Sequence, residues 1–342
     1  ITGTHLVSEY GNTKNQIIKD FGKKNIIIFK NQIFGDSHKK IFKNTVNKFT
    51  EALEQKYFDC FFIHGDRIET LAAASVLTFS KIRIAHIEGG ELSGTVDEMI
   101  RHSVTKLSHI HFVTNIAAKK VLINSGEDKK SIFITGSPDI DLFDSKLRPT
   151  IKEVKKRYGI KFQKYIISFL HPVTTNSKIE TTKKSNIYFE TLKQLKDINI
   201  IHFIPNNDDN SKEILNILKK KISNKKNIKI LRSMRFEFYL TLLENCELIM
   251  GNSSSAIMEA PYFNVPSINI GDRQSNRYGL NQIFSANFSK KSILDSIKKA
   301  KKTKPRFILP FGKTGSAKKI INILLSKKFN NVKVQKIYKR LK

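Results

Sequence analysis

The chain has 342 residues, 39% hydrophobic and 10% aromatic, with 61 basic against 30 acidic residues and a formal net charge of +31. That length and apolar content exclude a disordered chain and predict two domains, each with its own core. The charge suits nucleic acid, an anionic surface or a phosphorylated substrate. Lysine is nevertheless scattered along the chain, and only the closing KKFNNVKVQKIYKRLK concentrates it without acids. With no zinc-finger spacing or RNA-binding aromatic signature, a nucleic-acid-binding protein is the weaker reading.

Cys60 and Cys246 lie in apolar stretches, which predicts buried thiols in a reducing compartment rather than a disulfide framework. No apolar run nears the length of a membrane span and no charged-then-apolar leader opens the chain. The expectation is a cytoplasmic protein that does not enter a membrane. The first residue is Ile, and ITGTHL reads as the end of a buried strand. A preceding strand and helix are therefore expected in the natural sequence.

In chain order, NIIIF (Asn25–Phe29) predicts a strand, followed by a helix with Phe42, Val46, Phe49 and Leu53 on one face. FDCFFI (Phe58–Ile63) is a continuous apolar run of the kind buried on both faces of a parallel sheet. An alanine-rich helix from Ile68, a strand IRIAHI, a helix from Val96, a strand IHFV, a helix from Ile116 and a strand IFITG follow. The polar DIDLFDSKLRPT then reads as a connection between domains. Beyond it KYIISFL, IIHFIP, IKIL, CELIM and PSINIG are further strands with helices between them. Strand–helix alternation throughout predicts parallel sheets with right-handed crossovers, an α/β chain of two Rossmann-like lobes. Residues 1–145 form the first lobe, 146–305 the second, and 306–342 a C-terminal helix and basic tail.

Ligands of open α/β sheets bind beyond the carboxyl ends of the strands, so the polar groups there carry the functional weight. They include His64-Gly65-Asp66-Arg67, Glu88-Gly89-Gly90-Glu91, Gly136-Ser137-Pro138, His171-Pro172-Val173-Thr174, Asn206-Asn207, Gly251-Asn252-Ser253-Ser254-Ser255 and Gly271-Asp272-Arg273. Any one of these alone is more often a turn. Thr95 and Glu98 fit a capping box, leaving Asp97 at the helix start. Asp66, Glu88 and Asp97 are expected to converge, with His171 facing them from the other lobe. Carboxylates with a histidine suit general acid–base work, since crowding raises some carboxyl pKa values. The turn in GNSSSAIMEAP leads into a helix start of the kind that favours a phosphate, although Ser253 or Ser254 could simply cap it. Glu259, six residues after Ser253 and expected within the same short helix, is placed to accept from sugar hydroxyls, and Arg273 to meet a diphosphate. No two of the glycines are spaced two apart, so the dinucleotide fingerprint is missing. His102, His109 and His111 lack the spacing of a zinc motif.

Taken together, HGDR, HIEGGELSGTVDEMIRHSVTKLSHIHF, TGSP, HPVTT, GNSSSAIMEAP and NIGDR resemble UDP-N-acetylglucosamine 2-epimerases over roughly Ile1 to Leu325. The opening GTHLVSEYGNT is similar to the hydrolysing branch, which supplies N-acetylmannosamine for sialic acid synthesis. The resemblance implies a glycosyltransferase-B-like pair of lobes with the active site in the cleft between them. It further implies that UDP leaves to give a 2-acetamidoglucal, to which water adds. By motif, Asp66, Glu88, Asp97 and His171 match the acid–base set, while Arg67, Ser253, Ser254, Glu259 and Arg273 match UDP-holding positions, with Asn206 a weaker match. No redox cofactor or central metal is implied, and dimers or tetramers are. The family's first strand, ending in a GTR- or GSR-type motif, has no counterpart in this chain. A sister branch acting on UDP-2,4-diacetamido-6-deoxy sugar for legionaminic acid has nearly the same motifs, and a glycosyltransferase of the same shape is the runner-up by fold.

Overall fold

A computed structural model of the chain describes all residues except 55, 94, 276, 278–282, 304–308, 310 and 338–342. It falls into two compact units. The first comprises Ile1–Leu92, Val96–Asp141 and Phe311–Lys342, and the second Ser93–Thr95 and Leu142–Pro310. The sequence boundary near 305 and the end of the basic tail lie outside the described residues.

In the first unit, α1 (Lys14–Phe21) and α2 (His38–Leu53) precede β1 (Cys60–His64), α3 (Ile68–Leu77) and β2 (Arg83–Ile87). Then come α4 (Val96–Leu107), β3 (Ile110–Val113), α5 (Ile116–Asn124) and β4 (Ile132–Ile134). The strands pair in parallel in the order β1-β2-β3-β4. Successive residues of β2 enter different cores, as the two-residue period of a strand requires. Ile84 packs with Ile63, Leu77 and Val104, whereas Ala85 packs with Phe112 and Ile320. Ile320 belongs to α12 (Ser316–Leu324), which α13 (Lys327–Asn330) follows. The C-terminal segment thus covers one face of the first sheet. Asp141 fastens α12 there by accepting from the backbone N–H of Gly315, Ser316 and Ala317 at 2.6, 2.9 and 2.8 Å. A carboxylate on free N–H groups at the positive end of a helix is a favourable arrangement.

The second unit runs α6 (Ile151–Tyr158), β5 (Ile166–Phe169), α7 (Lys178–Gln194), β6 (Ile200–Phe203), α8 (Ser211–Ile222), β7 (Ile228–Leu231) and α9 (Phe236–Glu244). It continues with β8 (Ile249–Gly251), α10 (Ser255–Met258), β9 (Ser267–Ile270), β10 (Phe284–Ala286) and α11 (Lys290–Lys301). Its six-stranded parallel sheet has the order β10-β9-β8-β5-β6-β7, so the chain winds outward from β5 in one direction and from β8 in the other. Ile166, Ile200 and Met250 pack on one face, and Ile167, Ile201 and Ile249 on the other. Capping boxes at Thr150/Glu153 and Ser177/Glu180 start α6 and α7.

Four expectations are corrected. NIIIF is not a strand: Ile27 and Ile28 are exposed, Asn25 and Ile26 donate to the local carbonyls of Gly22 and Lys23, and Ile27 and Phe29 bond Ile1, too little for a ladder. ITGTHL ends in a short 3-10 helix, Gly3–Leu6, instead of a strand. The buried face of α2 is centred on Ile41, Thr45 and Phe49, so Phe49 keeps its expected place while Phe42, Val46 and Leu53 are only partly buried. Glu259 lies past the end of α10, at its junction with the 3-10 helix Ala260–Phe263, because the helix after the serine turn is only four residues long.

Candidate active site

In the first unit, the ends of β1 and β2 carry the ionisable groups, and their parallel register sets His64 beside Ile87. Glu88 follows with φ of 65°, a left-handed backbone that costs a non-glycine residue of order 1–3 kcal/mol and is typical of functional positions. Its carboxylate lies 3.2 Å from His64 Nε2, and Asp139 completes a cluster whose ligating atoms all fall within 4.8 Å of one another. Burial works against charge on the imidazole. The Glu88 carboxylate, helped by Asp139 and Asp66, overcomes it and pushes the His64 pKa up to about 9. Burial, then the charge of Glu88, pushes the Asp139 carboxyl up as well. His64, Glu88 and Asp139 are also, among the described residues, a group whose type and spacing could hold a metal ion, which would compete with the proton for His64 Nε2. Without a metal the raised pKa values of His64 and Asp139 suit the cluster to sharing a proton.

Asp66 forms an ion pair with Arg101, whose other arm donates to the Glu91 carbonyl at 2.8 Å. Arg101 stands four residues after Asp97 on α4, so the two share a helix face. Glu91 is buried, accepting from Thr114 and, at 3.4 Å, from Asn115. Beneath the loop, His86 is neutral, its pKa pushed down to about 3 by burial. His86 Nε2 donates to the Gly65 carbonyl at 2.9 Å, so Nδ1 accepts from the Thr105 hydroxyl at 3.1 Å. Of the expected set, the first unit therefore gathers Asp66 and Glu88 around His64 and ties Asp97's helix to Asp66. Arg67 stands apart, exposed and paired with Glu69 at 3.4 Å.

In the second unit, β5 and β8 are neighbours whose connections leave in opposite directions, the switch point where open sheets bind ligands. Two loops meet there. The His171 N–H donates to Asn252 Oδ1 at 2.7 Å, and Asn252 Nδ2 donates back to the His171 carbonyl at 2.8 Å. Gly251 makes this approach possible: its φ is 136°, and a Cβ there would lie 1.9 Å from the Phe169 carbonyl. The Asn206 N–H donates to His171 Nδ1 at 3.1 Å, leaving Nε2 as the protonated nitrogen of a neutral ring. Burial first, then the charge of Arg273, pushes the His171 pKa down to about 3. Arg273 is buried, donating to the carbonyls of Pro172 and Asn252 at 3.3 and 3.4 Å and facing Asp208 at 3.6 Å.

Ser253 and Ser254 come directly after Asn252. Ser254 precedes α10 without a side-chain capping bond, and Ser253 Oγ accepts from the Ser255 N–H at 3.3 Å. Glu259 lies near the buried Tyr239 hydroxyl, whose pKa rises mainly through burial and then through the Glu259 charge. His171, Asn206 and Arg273 thus come together, with the serine turn continuing the same loop. Sequence reasoning passed over Arg101, Asp139 and Asp208, and left His64 and Asn252 without roles. The four-residue step from Asp97 was a signal for Arg101. Asp139 had none, sitting in a stretch that reads as a connection.

The family model for UDP-N-acetylglucosamine 2-epimerase matches residues 1–325. A UDP-N-acetylglucosamine 2-epimerase of Neisseria meningitidis serogroup B is 41% identical over 300 residues, 88% of this chain and 78% of the relative. A UDP-N,N'-diacetylbacillosamine 2-epimerase (hydrolyzing) of Legionella pneumophila is 33% identical, covering 88% of this chain and 80% of its own. Among solved structures, a Neisseria meningitidis UDP-GlcNAc 2-epimerase bound to UDP-GlcNAc superposes with a TM-score of 0.75 at 19% identity, over 95% of this chain and 90% of that one. That likeness establishes the glycosyltransferase-B-like fold. The chain belongs to the UDP-N-acetylglucosamine 2-epimerase family and is an enzyme of that family.

Proposed function

We propose that the enzyme is a hydrolysing 2-epimerase that converts UDP-N-acetylglucosamine and water into UDP and N-acetylmannosamine. One carboxylate of Asp66, Glu88 and Asp97 takes the proton from sugar carbon 2. The carbon 1–oxygen bond breaks, its electron pair leaves with UDP, and a carbon 1–carbon 2 double bond forms. Water then adds, its hydroxyl to carbon 1 and a proton to the opposite face of carbon 2. The observation that carries this reading is the proton-sharing cluster of His64, Glu88 and Asp139 with Asp66 beside it, since the reaction needs a base and then an acid. His64, held protonated, is the group there with a proton to return.

The second unit supplies the hold on UDP in this reading. The serine turn and Arg273 bind the diphosphate, Asn206 and Glu259 bind other polar groups, and neutral His171 donates from Nε2 to the departing oxygen. The diacetylbacillosamine relative supports a second substrate, the UDP-diacetamido sugar. Both sugar nucleotides should be incubated with the enzyme in deuterium oxide. Release of UDP together with the free 2-epimer, deuterated at carbon 2, is expected from one of them. A 2-epimer still attached to UDP would replace the hydrolysing reading with reversible epimerisation, and no consumption of either sugar would end it.

A further inference from the structure

One buried charge cluster of the first unit lies outside the proton-handling groups. Glu127, with a side chain 1% exposed, accepts from His111 Nε2 at 3.0 Å, Lys106 Nζ at 3.1 Å and Lys336 Nζ at 2.7 Å. The same Lys336 ammonium donates to the carbonyls of Thr105, Lys106 and Ser108 at 3.1, 2.9 and 2.7 Å. The Thr105 and Lys106 carbonyls belong to the last turn of α4 and Ser108 follows it directly; the Thr105 carbonyl also accepts from the Ser108 N–H at 3.1 Å, and the helix dipole favours a cation at this end.

Lys336 comes from the tail, past residue 325 where the family match ends. Its segment is pinned at every second residue. Arg83 Nε donates to the Val332 carbonyl and His109 Nε2 to the Val334 carbonyl, both at 2.8 Å, while the Arg83 guanidinium lies over the Phe329 ring. The lysine-rich tail, unbalanced in sequence, finds its acid on another element.

The other end of α4 carries Asp97 and Arg101, and Arg101 holds Asp66. A helix of 12 residues is a rod roughly 18 Å long, so an error in the seating of one end tilts the other. We infer that Lys336 is a positioning residue: by clamping the C-terminal end of α4 to Glu127, it keeps Arg101 and Asp97 in register with Asp66. This inference rests on the role proposed above for the carboxylates.

The test compares Lys336→Met, which removes the charge, with Lys336→Arg, which keeps it. Amide hydrogen exchange along α4 is read beside kcat and KM for UDP release. In Lys336→Met, exchange should quicken from Ser108 back to Arg101, and kcat should fall roughly 10-fold with KM changed less than about 2-fold. Lys336→Arg should restore most of kcat. Quicker exchange confined to the tail with kcat unchanged overturns the inference, as does a kcat loss that arginine fails to rescue. If the wild-type enzyme releases no UDP from either sugar, the proposed function fails. Exchange then decides alone, for the clamp if it reaches Arg101 and against it if it stops short. Should Lys336→Met not fold, Glu127→Gln is read by the same two measurements.

Discussion

The two units solve opposite problems at the ends of their strands. In the first, the groups are ionisable and set against one another: an imidazole pushed up to about 9, a carboxyl pushed up, and a glutamate on a strained backbone. In the second, the corresponding loops are knitted together by neutral hydrogen bonds through Asn252, and the histidine is kept uncharged. Acid–base groups must change protonation during turnover, so their pKa values are open to adjustment by neighbouring charges. A binding floor must not change, which favours bonds indifferent to pH. The comparison therefore separates substitutions that should lower kcat from those that should raise KM or unfold the protein.

The largest effects should come from the first unit. If the proposed carboxylate set transfers protons, Glu88→Gln and Asp66→Asn should each lower kcat for UDP release by ~10²-fold or more, since each removes a carboxylate of that set and keeps its shape. Glu98→Gln should be far milder. Near-normal kcat in both of the first two variants would erase the contrast between the units.

In the second unit, Gly251→Ala should destabilise the protein by roughly 3 kcal/mol or more, because the new Cβ meets a carbonyl in a backbone region closed to alanine. Urea unfolding measures it. A stability equal to wild type would show that the β5–β8 approach is looser than described.

The pH contrast is intermediate in size. His64 should titrate near 9 by ring-proton NMR and fall well below that in Glu88→Gln, whereas His171 should show no protonation down to pH 5. The sign for stability follows from the raised pKa. The His64–Glu88 pair contributes fully below pH 6.5 and loses its contribution as pH rises through about 9. A wild-type advantage over Glu88→Gln that grew above pH 9 would contradict this. The smallest effect belongs to Ser253→Ala, expected to raise KM by several fold, about 1 kcal/mol for one hydrogen bond, with kcat nearly unchanged. A kcat loss equal to that of Glu88→Gln would move the serine turn into the proton chemistry.

How much of this was legible depended on distance along the chain. The strands from FDCFFI to PSINIG were readable because strands of a covered parallel sheet read as apolar runs, and nine of them stand where those runs do, although the edge strands β1 and β4 leave Phe62 and Ile134 exposed. β10 was missed because Phe284-Ser285-Ala286 contains no apolar run, and NIIIF misled because an apolar run becomes a strand only beside a partner. The strand-end rule brought Asp66, Glu88, His171 and Arg273 to notice. It could not pair Asp66 with Arg101, 35 residues apart, or Lys336 with Glu127.

By itself, then, the sequence determined the alternation of strand and helix, the family, and which polar side chains stand at strand ends, because these follow from local periodicity and from short contiguous motifs. Tertiary structure alone decided the strand order that makes β5 and β8 neighbours, the partner of each charged group, and hence which histidine is charged and which is neutral. The reason is physical. A pKa or an ion pair depends on burial and on charges a few ångströms away, and those neighbours are supplied by segments that are remote in the chain.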